Sequence, residues 1–587
     1  MNKYGLEFST DSGIPTDLSV ELSCFRNYAE LCKRPGFEKR GRAFHLKNAI
    51  KTAFCQNEKG PFVWSPWDDA RVEGFLNDKN FVTWWGPAAS GKTTSAAAIA
   101  LCFWLAKPDQ ATVVVCSTTR EALEQRIWGQ ILRLYQSVDG LPGTLIQSKF
   151  KIVLGAENTL NGLFGVAILR GTMKEALGNL SGKHNRYVLL IVDEMQATRE
   201  AAVEQKENMA AGADEFRFIG IGNPESRLDP LGKYSEPKKG WNSISYMESE
   251  SWETREGLCQ FFSGLKSPGI TEPKKFPFLL SKKQIDRTRE ARGENSPIFW
   301  SQRIGFIPAE GLLPTVMSET FIMQYHAMDQ MTWLDTYETY AALDPAFSAG
   351  GDNAVLSPFS VGNMKDGRTG IYFWPQVKLQ LKIGGEKSMT TTLMRDIRDT
   401  CTKMGIGPER FAMDCTGMQR MLADLLDDEW GKIYRCLFST SASEIPISIN
   451  ESTKSKERYK NRVAELWFSV SDFIRFDQLR GLSVEAAKEF CQRLVPDRNQ
   501  VVLGMESKKD MKKRTGYSPD HADSVAVAID YVRVVLGIIP GGKAYFKGSR
   551  LQPDFSANEL DNSEKMFMLP DEMNVNDEHA EMLRSES

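Results

Sequence analysis

The sequence has no excess of charge of either sign. Its 587 residues include 73 Lys and Arg against 76 Asp and Glu, which gives a formal net charge of -3. A chain this balanced has no overall attraction to nucleic acid or to an anionic membrane surface. Any surface that binds phosphate groups must therefore be local.

Several signals of location are also missing. The ten cysteines include no Cys-x-x-Cys pair, which favours reduced thiols in a cytosolic protein over a zinc site or a disulfide framework. The opening residues, MNKYGLEFSTDSG, lack a basic segment followed by an apolar one, so we expect no secretion signal. The apolar stretches at 96–105 and 525–539 are too short or carry charges, so we expect no bilayer span and no membrane partner.

What the sequence does contain is the composition of a folded globular chain, with 41% hydrophobic and 25% charged residues and no internal repeat. Its length exceeds what one hydrophobic core usually serves. Shifts in pattern predict five segments, of which the first has no assigned role and the last is an acidic, mobile tail. Their predicted bounds are 1–55, 56–325, 326–338 as a linker, 339–545 and 546–587.

Two separate series of strands and helices are expected. Apolar strand-like runs at 81–85, 111–117, 186–194 and 216–222 alternate with helical ones, which predicts a parallel α/β sheet. A second series has strands at 339–346, 369–377 and 410–417 and helices at 390–405, 418–429 and 455–474. The expected fold class is therefore α/β in both domains.

Residues 86–93, GPAASGKT, match the pattern GxxxxGK[ST], with a predicted strand before them and a predicted helix after them. In this context backbone N–H groups wrap phosphate oxygens, Lys92 reaches the β- and γ-phosphates, and the Thr93 hydroxyl holds Mg²⁺. A glycine turn that happens to end in Lys-Thr is the alternative. The predicted nucleotide-binding residues here are Gly86, Ser90, Gly91, Lys92, Thr93 and Thr94.

Further groups of this site follow two other strands. Asp193 and Glu194 come after the apolar run VLLIV, where Asp193 would steady Mg²⁺ and Glu194 would orient or deprotonate the attacking water. They could instead begin a solvated helix. Asn223 follows the next strand and is suited to contact the γ-phosphate. Arg120 and Arg170 are both candidates for the cation that stabilises the transition state.

A second set of acidic residues lies in the second series. Asp344 and Asp414 end apolar strands, while Asp520 and Asp523 open a helix-like run. Carboxylates that converge in this way suit two divalent cations and phosphodiester cleavage. The alternative is that these acids form a turn and helix caps. Asp520 is the favoured third ligand, with Asp523 close behind and His521 possible, whereas Asp352 is expected in a hairpin.

Two basic stretches occur in the second series, and the one at 508–514 lies next to Asp520 and Asp523 in the sequence. One comprises Lys508, Lys509, Lys512, Lys513 and Arg514, and the other comprises Lys454, Lys456, Arg458, Lys460 and Arg462. Such runs are usually solvated faces, but their proximity to the acidic cluster favours contact with a DNA backbone.

The ordered set of motifs resembles the large terminase subunit of tailed bacteriophages, over about residues 60 to 540. The segments that carry the resemblance are WWGPAASGKTTSAA, LSGKHNRYVLLIVDE, FIGIGNPES, FWSQRIGFIPAEG, YAALDPAFSAGGDNA, FAMDCTG and KKDMKKRTGYSPDHADSVA. The resemblance implies that 56–325 is a P-loop ATPase and 339–545 an RNase H-like nuclease. It further implies an ATP-driven motor that packages double-stranded DNA into a prohead and cleaves concatemers.

Cofactors, partners and location follow from the same resemblance. It implies ATP and Mg²⁺, with Mn²⁺ possible at the nuclease site, and a portal protein and a small terminase subunit as partners. It also implies a homo-oligomeric ring in the host cytoplasm, transiently at the prohead portal. By position it makes Thr93 and Asp193 magnesium ligands, Glu194 the hydrolytic base, and Asp344, Asp414 and the Asp520/Asp523 cluster the nuclease ligands.

This sequence departs from the family pattern in two places. The phosphate loop lacks the early arginine of many terminases, and the second nuclease acid is Asp414 where the family often has Glu. The first departure leaves the source of the stimulating arginine open, whereas Asp414 serves equally well as an oxygen ligand. Two alternative functions also stay open. One is a helicase-nuclease of repair or defence, and the other is a DNA-translocating ATPase whose second domain only binds.

Overall fold

The computed structural model describes residues 16–34, 40–55, 62–155, 160–168, 185–198, 200–311, 313–345, 354–379, 389–496 and 500–542. The chain divides into two compact units, residues 1–309 and 310–587. Arg170, Asp352 and the predicted tail 546–587 lie outside the described residues. The five predicted segments stay a prediction.

The first unit contains a sheet of nine strands in the order β3-β4-β5-β2-β6-β7-β1-β9-β8. The six strands from β5 to β9 along this order are parallel, and antiparallel strands complete both edges. The strands are β1 (Phe81–Trp85), β2 (Ala111–Ser117), β3 (Thr144–Ile146), β4 (Lys151–Val153), β5 (Gly162–Ala167), β6 (Tyr187–Val192), β7 (Glu215–Gly222), β8 (Ser251–Glu253) and β9 (Leu258–Phe261).

Helices flank this sheet. They are α1 (Thr16–Arg26), α2 (Tyr28–Leu31), α3 (Arg42–Phe54), α4 (Pro66–Phe75), α5 (Lys92–Leu105), α6 (Arg120–Leu123), α7 (Gly129–Gln136), α8 (Glu200–Ala210), α9 (Pro230–Tyr234), α10 (Pro268–Thr271), α11 (Lys282–Arg292) and α12 (Pro297–Phe299). Two π-helical turns, Glu124–Trp128 and Trp300–Ile304, follow α6 and α12. With β1 directly before and α5 directly after residues 86–91, the unit has the P-loop NTPase fold.

The apolar central strands reflect burial on both faces. Every residue of β1 and β2 is buried, as expected of parallel strands covered by helices on either side. Helix α5 is also buried from Ser95 to Leu105. It belongs to the same core cluster as Leu22 and Phe25 of α1 and Ile50 of α3. The described part of residues 1–55 therefore contributes to the core of the first unit.

The second unit is built on a sheet in which β10, β11 and β12 form an antiparallel meander, while β14 and β15 extend it in parallel beyond β10. This arrangement is the RNase H-like fold. The strands of this sheet are β10 (Trp333–Asp344), β11 (Ala354–Met364), β12 (Thr369–Phe373), β13 (Val377–Leu379), β14 (Phe411–Asp414), β15 (Tyr434–Cys436) and β18 (Leu479–Arg480). Two further strands, β16 (Pro446–Ser448) and β17 (Glu451–Lys454), pair with each other in a separate sheet.

Strand β10 begins at Trp333, inside the stretch predicted as a linker. Its first half is mostly exposed and polar, so it lacks the apolar signal that marks a buried strand. The helices of this unit are α13 (Glu319–Gln324), α14 (Met389–Lys403), α15 (Arg420–Glu429), α16 (Ser455–Arg458), α17 (Arg462–Arg475), α18 (Val484–Phe490), α19 (Lys508–Thr515) and α20 (Asp520–Val534).

Helix α20 is buried along almost its whole length and packs on β10, β11 and β14. An ionic cluster fastens it to α17. Arg533 Nη1 lies 2.9 Å from Glu465 Oε1, and Arg462 Nη1 lies 2.9 Å from Glu465 Oε2. Arg462 also pairs with Asp530. Because Glu465 and Arg533 are fully buried, each charge depends on its partners for the solvation that water would otherwise give.

No helix among the described residues is both long and apolar enough to cross a membrane.

Substitution of Glu465 tests the ionic cluster. Glu465→Ala leaves two buried arginines short of a counter-charge, so we expect the free energy of unfolding to fall by about 3–5 kcal/mol. Urea denaturation followed by circular dichroism measures the change. Glu457→Ala, which removes an exposed carboxylate nearby, should stay within about 0.5 kcal/mol of the parent chain. Equal losses in the two variants would contradict the role given to the cluster.

Candidate active sites

The loop between β1 and α5 has the backbone that a phosphate-binding loop requires. Gly91 has a φ of +79° and is the N-cap residue of α5, a left-handed conformation that glycine adopts without a steric penalty. Ser90 Oγ donates to the Pro87 carbonyl at 2.9 Å. Residues 87–94 of the loop and the first turn of α5 line a cavity of about 690 Å³.

Lys92 lies folded into this loop. Its Nζ donates to the carbonyls of Gly86 at 2.8 Å and Pro87 at 2.9 Å, and to Asn223 Oδ1 at 3.1 Å. Burial, with a further contribution from the charge of Arg71, lowers the pKa of Lys92 to about 7, although Glu194 and Asp193 oppose the shift. Asn223, directly after β7, therefore lies within hydrogen-bonding reach of the lysine, and its predicted contact with the γ-phosphate stays a prediction.

Asp193 and Thr93 form the candidate magnesium position. Thr93 Oγ1 lies 3.5 Å from Asp193 Oδ1. Asp193 is buried, and burial, followed by the charge of Glu194, raises its pKa to about 7. Its Oδ2 is buried and has no hydrogen-bond partner among the described residues. A buried acceptor beside a hydroxyl suits a hard divalent cation, so these residues fit Mg²⁺.

Glu194 stands in a constrained position. It has a φ of +54°, which is uncommon for a residue with a side chain. Gln196 Nε2 donates to its Oε2 at 2.9 Å, and the Arg126 guanidinium pairs with its Oε1. Both carboxylate oxygens are thus occupied by donors.

Among the described residues, Arg71, Arg126 and Arg133 line the cavity. Of the two arginines that the sequence suggested, Arg170 lies outside the described residues. Arg120 instead donates to the Ser148 carbonyl at 3.2 Å and lies over the Phe150 ring. Arg126 belongs to the π-helical turn Glu124–Trp128, which changes the face that a side chain occupies. Periodicity of an ordinary helix does not reveal such a position.

Arg71, which no sequence motif marked, is hydrogen-bonded to the phosphate-binding loop and stabilises it. It is fully buried, and its Nη2 donates to the Ser90 carbonyl at 2.6 Å while its Nη1 donates to Ser95 Oγ at 2.9 Å. Asp68 pairs with it at 3.2 Å. Arg71 therefore ties α4 to the loop and to the first turn of α5. Of the predicted nucleotide-binding residues, Ser90, Gly91, Lys92, Thr93, Thr94, Asp193 and Asn223 line the cavity.

In the second unit, Asp344 and Asp414 lie at the ends of adjacent strands. Leu343 of β10 pairs with Met413 of β14 in a parallel register, so the carboxylates that follow emerge at the same edge of the sheet. Both residues are buried. Asp414 Oδ1 accepts hydrogen bonds from the Thr416 amide at 3.0 Å and from its hydroxyl at 2.6 Å.

The acids at the start of α20 meet this edge through Lys508. Its Nζ lies 2.9 Å from Asp344 Oδ2, 3.1 Å from Asp523 Oδ2 and 3.3 Å from Asp520 Oδ1. Burial works to lower the pKa of Lys508, but the charges of these three acids outweigh it and hold the pKa well above its ordinary value. Lys508 was expected to contact DNA; the structure places its ammonium among the predicted ligands.

Burial raises the pKa of Asp344 well above its ordinary value. The charge of Lys508 opposes this shift, and the charges of Asp523 and Asp520 add to it. Burial also raises the pKa of Asp414, and Asp523 adds to that shift as well. Asp523 thus interacts electrostatically with both strand-end acids. The choice between Asp520 and Asp523 as the third ligand stays a prediction.

Asp523 is held by residues that sequence patterns did not mark. Trp467 Nε1 donates to its Oδ1 at 2.9 Å, and Arg493 Nη1 lies 3.4 Å from the same oxygen. The Arg493 guanidinium also lies over the Trp467 ring. Glu489 Oε2 accepts the Ala522 amide at 2.6 Å, which anchors the first turn of α20. These contacts leave Oδ2 of Asp523 directed toward Lys508.

His521 points away from the cavity that the four acids line. Its Nδ1 is 2.7 Å from Gln376 Oε1, and it does not line the cavity that the acids share. Burial lowers its pKa to about 4. The structure thus brings the four predicted acids together without this histidine.

The four acids Asp344, Asp414, Asp520 and Asp523 line one cavity of about 750 Å³. Their oxygen donors fit hard divalent cations. As the side chains stand, however, no group of three or more His, Cys, Asp or Glu within the described ranges is arranged to hold a metal ion. The Lys508 ammonium supplies the positive charge instead, so a cation would have to displace it.

The remaining basic residues have mixed surroundings. Lys460 lines the cavity of the acids. Lys454 and Lys456 pair with Glu444, Arg514 pairs with Glu506, and Arg462 is part of the buried ionic cluster. Contact between the two basic stretches and DNA stays a prediction.

Comparison with known proteins gives structural matches. No protein-family model and no curated protein matches the sequence. The structure is similar to that of the HK97 bacteriophage large terminase, with 11% identity, a TM-score of 0.35, and coverage of 83% of this chain and 99% of that one. It is similar to a large terminase from a thermophilic bacteriophage in complex with ADP, at 11% identity, a TM-score of 0.32 and coverages of 81% and 100%. A third match is the nuclease domain of the large terminase subunit of bacterial virus Sf6, at 14% identity, a TM-score of 0.28 and coverages of 37% and 98%.

Proposed function

We propose that this chain is the large terminase subunit of a tailed bacteriophage. In this role it hydrolyses ATP to move double-stranded DNA into a prohead and cleaves concatemeric DNA with a metal-dependent endonuclease. The observation that carries the proposal is the pairing of two unlike sites in one chain. One gathers a lysine-bearing phosphate loop with two acids and an amide, and the other gathers four buried carboxylates.

In the ATPase site, Lys92 leaves the loop carbonyls and binds the β- and γ-phosphates, while loop amides and the start of α5 hold the remaining phosphate oxygens. Thr93 and Asp193 hold Mg²⁺, whose chemistry is to neutralise charge on the phosphates. Glu194 takes the proton of the attacking water. Before it can do so, its carboxylate must part from Arg126.

Asn223 reports the state of the γ-phosphate. Its Oδ1 accepts a hydrogen bond from Lys92, and this hydrogen bond must break when the lysine turns to the phosphates. Because Asn223 directly follows β7, loss of its hydrogen bond to Lys92 frees the backbone at the end of a central strand to move. We infer that this movement begins the coupling of hydrolysis to DNA translocation.

In the nuclease site, Asp344, Asp414 and Asp523 with Asp520 hold the divalent cations, Mg²⁺ or Mn²⁺. The chemistry that such cations supply is activation of water and stabilisation of the leaving oxygen in phosphodiester cleavage. Trp467 and Arg493 fix the orientation of the Asp523 carboxylate. Lys460, which lines the cavity, attracts the DNA backbone.

The partners follow from this function. A packaging motor works on double-stranded DNA, docks on a portal protein and receives DNA from a small terminase subunit. It acts as a homo-oligomeric ring in the host cytoplasm. A strand-separation assay distinguishes it from a helicase-nuclease, because a packaging motor moves intact duplex and leaves the strands paired.

Substitution of one acid in each site tests the two-site proposal. Glu194→Ala removes the base, so we expect ATP turnover to fall by about 10²–10⁴-fold, while cleavage of plasmid DNA in Mn²⁺ continues. Asp344→Ala removes a cation ligand and should abolish cleavage while ATP turnover continues. Phosphate release and agarose-gel cleavage assays measure the two activities.

Two exposed acids serve as matched controls. Asp335→Ala lies on the same strand as Asp344, and Glu207→Ala lies on α8; both variants should keep both activities. If one site substitution removes both activities in a chain that remains folded, the two sites are not separate. If no Mn²⁺ concentration supports cleavage by the parent chain, its second domain only binds.

Lys508→Ala tests the contact between the ammonium and the acids. Loss of this positive charge leaves Asp344, Asp520 and Asp523 to attract a cation without competition, so we expect Mn²⁺ affinity to rise by about tenfold or more. Isothermal titration calorimetry measures it. Lys509→Ala, on the same helix but exposed, should bind Mn²⁺ like the parent chain. Unchanged affinity in Lys508→Ala would show that the ammonium does not compete for the site.

A further inference from the structure

A second cavity of the first unit lies between helix α11 and the π-helical turn Trp300–Ile304. It has a volume of about 460 Å³. Three arginines line it, Arg287, Arg292 and Arg303, together with uncharged residues only. In a chain with a formal net charge of -3, such a one-sided lining is a local departure from the overall balance.

Arg287 and Gln284 offer hydrogen-bond donors to a ligand in this cavity. Arg287 is exposed and forms no ion pair with any residue in the described ranges. Gln284 Oε1 already accepts from the Ser281 amide at 2.9 Å and from its hydroxyl at 3.0 Å, which leaves its N–H groups for a ligand. Thr288 Oγ1 donates to the Gln284 carbonyl and accepts from Arg303. The lining therefore suits an acceptor-only anion such as a phosphate group.

Arg303 connects this cavity to the phosphate loop. Its Nε donates to Thr288 Oγ1 at 2.8 Å, and its Nη1 donates to the Gln302 carbonyl at 3.0 Å. The same carbonyl accepts the amide of Ala88 at 3.1 Å. One oxygen atom thus links a cavity arginine to the backbone of the loop that binds nucleotide.

The surrounding backbone reinforces this connection. The Leu280 amide, just before α11, donates to the Ala89 carbonyl at 3.0 Å. Gly305, which follows the π-helical turn, lies so close to the loop that a Cβ there would be 2.5 Å from the Pro87 nitrogen. The segments that build the cavity are therefore also the ones that contact residues 87–89 of the phosphate loop. A change in the cavity or in the loop is transmitted to the other through these direct contacts.

We infer that this cavity binds a phosphate of the DNA backbone and that the bound phosphate acts on the phosphate loop through Arg303 and the Gln302 carbonyl. The inference rests on the proposed function and adds a DNA contact that stimulates the ATPase. Planar guanidinium groups match phosphate oxygens in pairs. Exposed Lys282 and Lys283 precede Arg287 on the same helix, so positive charge extends along α11 as a polymeric anion requires.

Removal of Arg287 tests DNA binding at the cavity. We expect Arg287→Ala to weaken binding of duplexes of any sequence and to reduce the slope of log affinity against log salt by about 1, the value for one lost phosphate contact. Fluorescence anisotropy at several salt concentrations measures both. Arg289→Ala is the matched control, since Arg289 lies on the same helix, pairs with Asp286 and Glu294, and does not line the cavity.

Arg303→Lys tests the connection to the loop. The lysine keeps the charge, but its single nitrogen replaces the two guanidinium nitrogens that donate separately to Thr288 and to the Gln302 carbonyl. We expect this variant to retain most of the DNA affinity and to lose the stimulation of ATP turnover by DNA, measured against its own turnover without DNA. Stimulation equal to that of the parent chain would overturn the proposed connection.

The other outcomes are equally distinct. Equal effects of Arg287→Ala and Arg289→Ala on DNA affinity would overturn the site, because general surface charge would then explain them. If Arg287→Ala abolishes binding of inorganic phosphate or of polyglutamate but leaves DNA affinity intact, the ligand is a free phosphate or an acidic polypeptide and the DNA assignment fails. A parent chain without ATP turnover or DNA binding would instead contradict the proposed function itself.

Discussion

Parallel pairing of neighbouring strands is the constraint on which both candidate sites depend. When strands run in the same direction, their carboxyl ends lie at one edge of the sheet, and the residues that follow them are brought together however far apart they are in the chain. In the first unit this joins the loop after β1 to Asp193 and Asn223. In the second it places Asp344 beside Asp414.

Each site also contains a lysine whose ammonium group is held by polar groups of the site itself. Lys92 lies against loop carbonyls and Asn223, and Lys508 lies among three carboxylates. Buried charge is costly unless it is paired, so these contacts stabilise the two ammonium groups where they lie. A nucleotide or a divalent cation therefore enters by exchange of partners, and the favourable contacts that it makes are offset in part by those that it breaks.

Much of this arrangement could be predicted from local patterns. Continuous apolar runs gave β1 and β2 with their observed bounds, and the motif at 86–93 identified the loop between β1 and α5. The convergence of Asp344 and Asp414 followed from their places at strand ends. Contacts between distant residues could not be predicted in this way. The position of Arg126 depends on a π-helical turn, and Lys508 reads as one charge of a solvated basic run until tertiary structure places it among the acids.

The packing of α1 and α3 against the first core bears on how the ATPase can be produced in isolation. A recombinant fragment that starts at residue 56 would lack Leu22, Phe25 and Ile50, which share a core cluster with α5. It would also lose Arg26, whose guanidinium lies between the rings of Phe103 and Tyr187. Apolar surface uncovered in this way promotes aggregation. A soluble ATPase fragment should accordingly keep α1 and α3, even though the nucleotide motif itself begins only at residue 86.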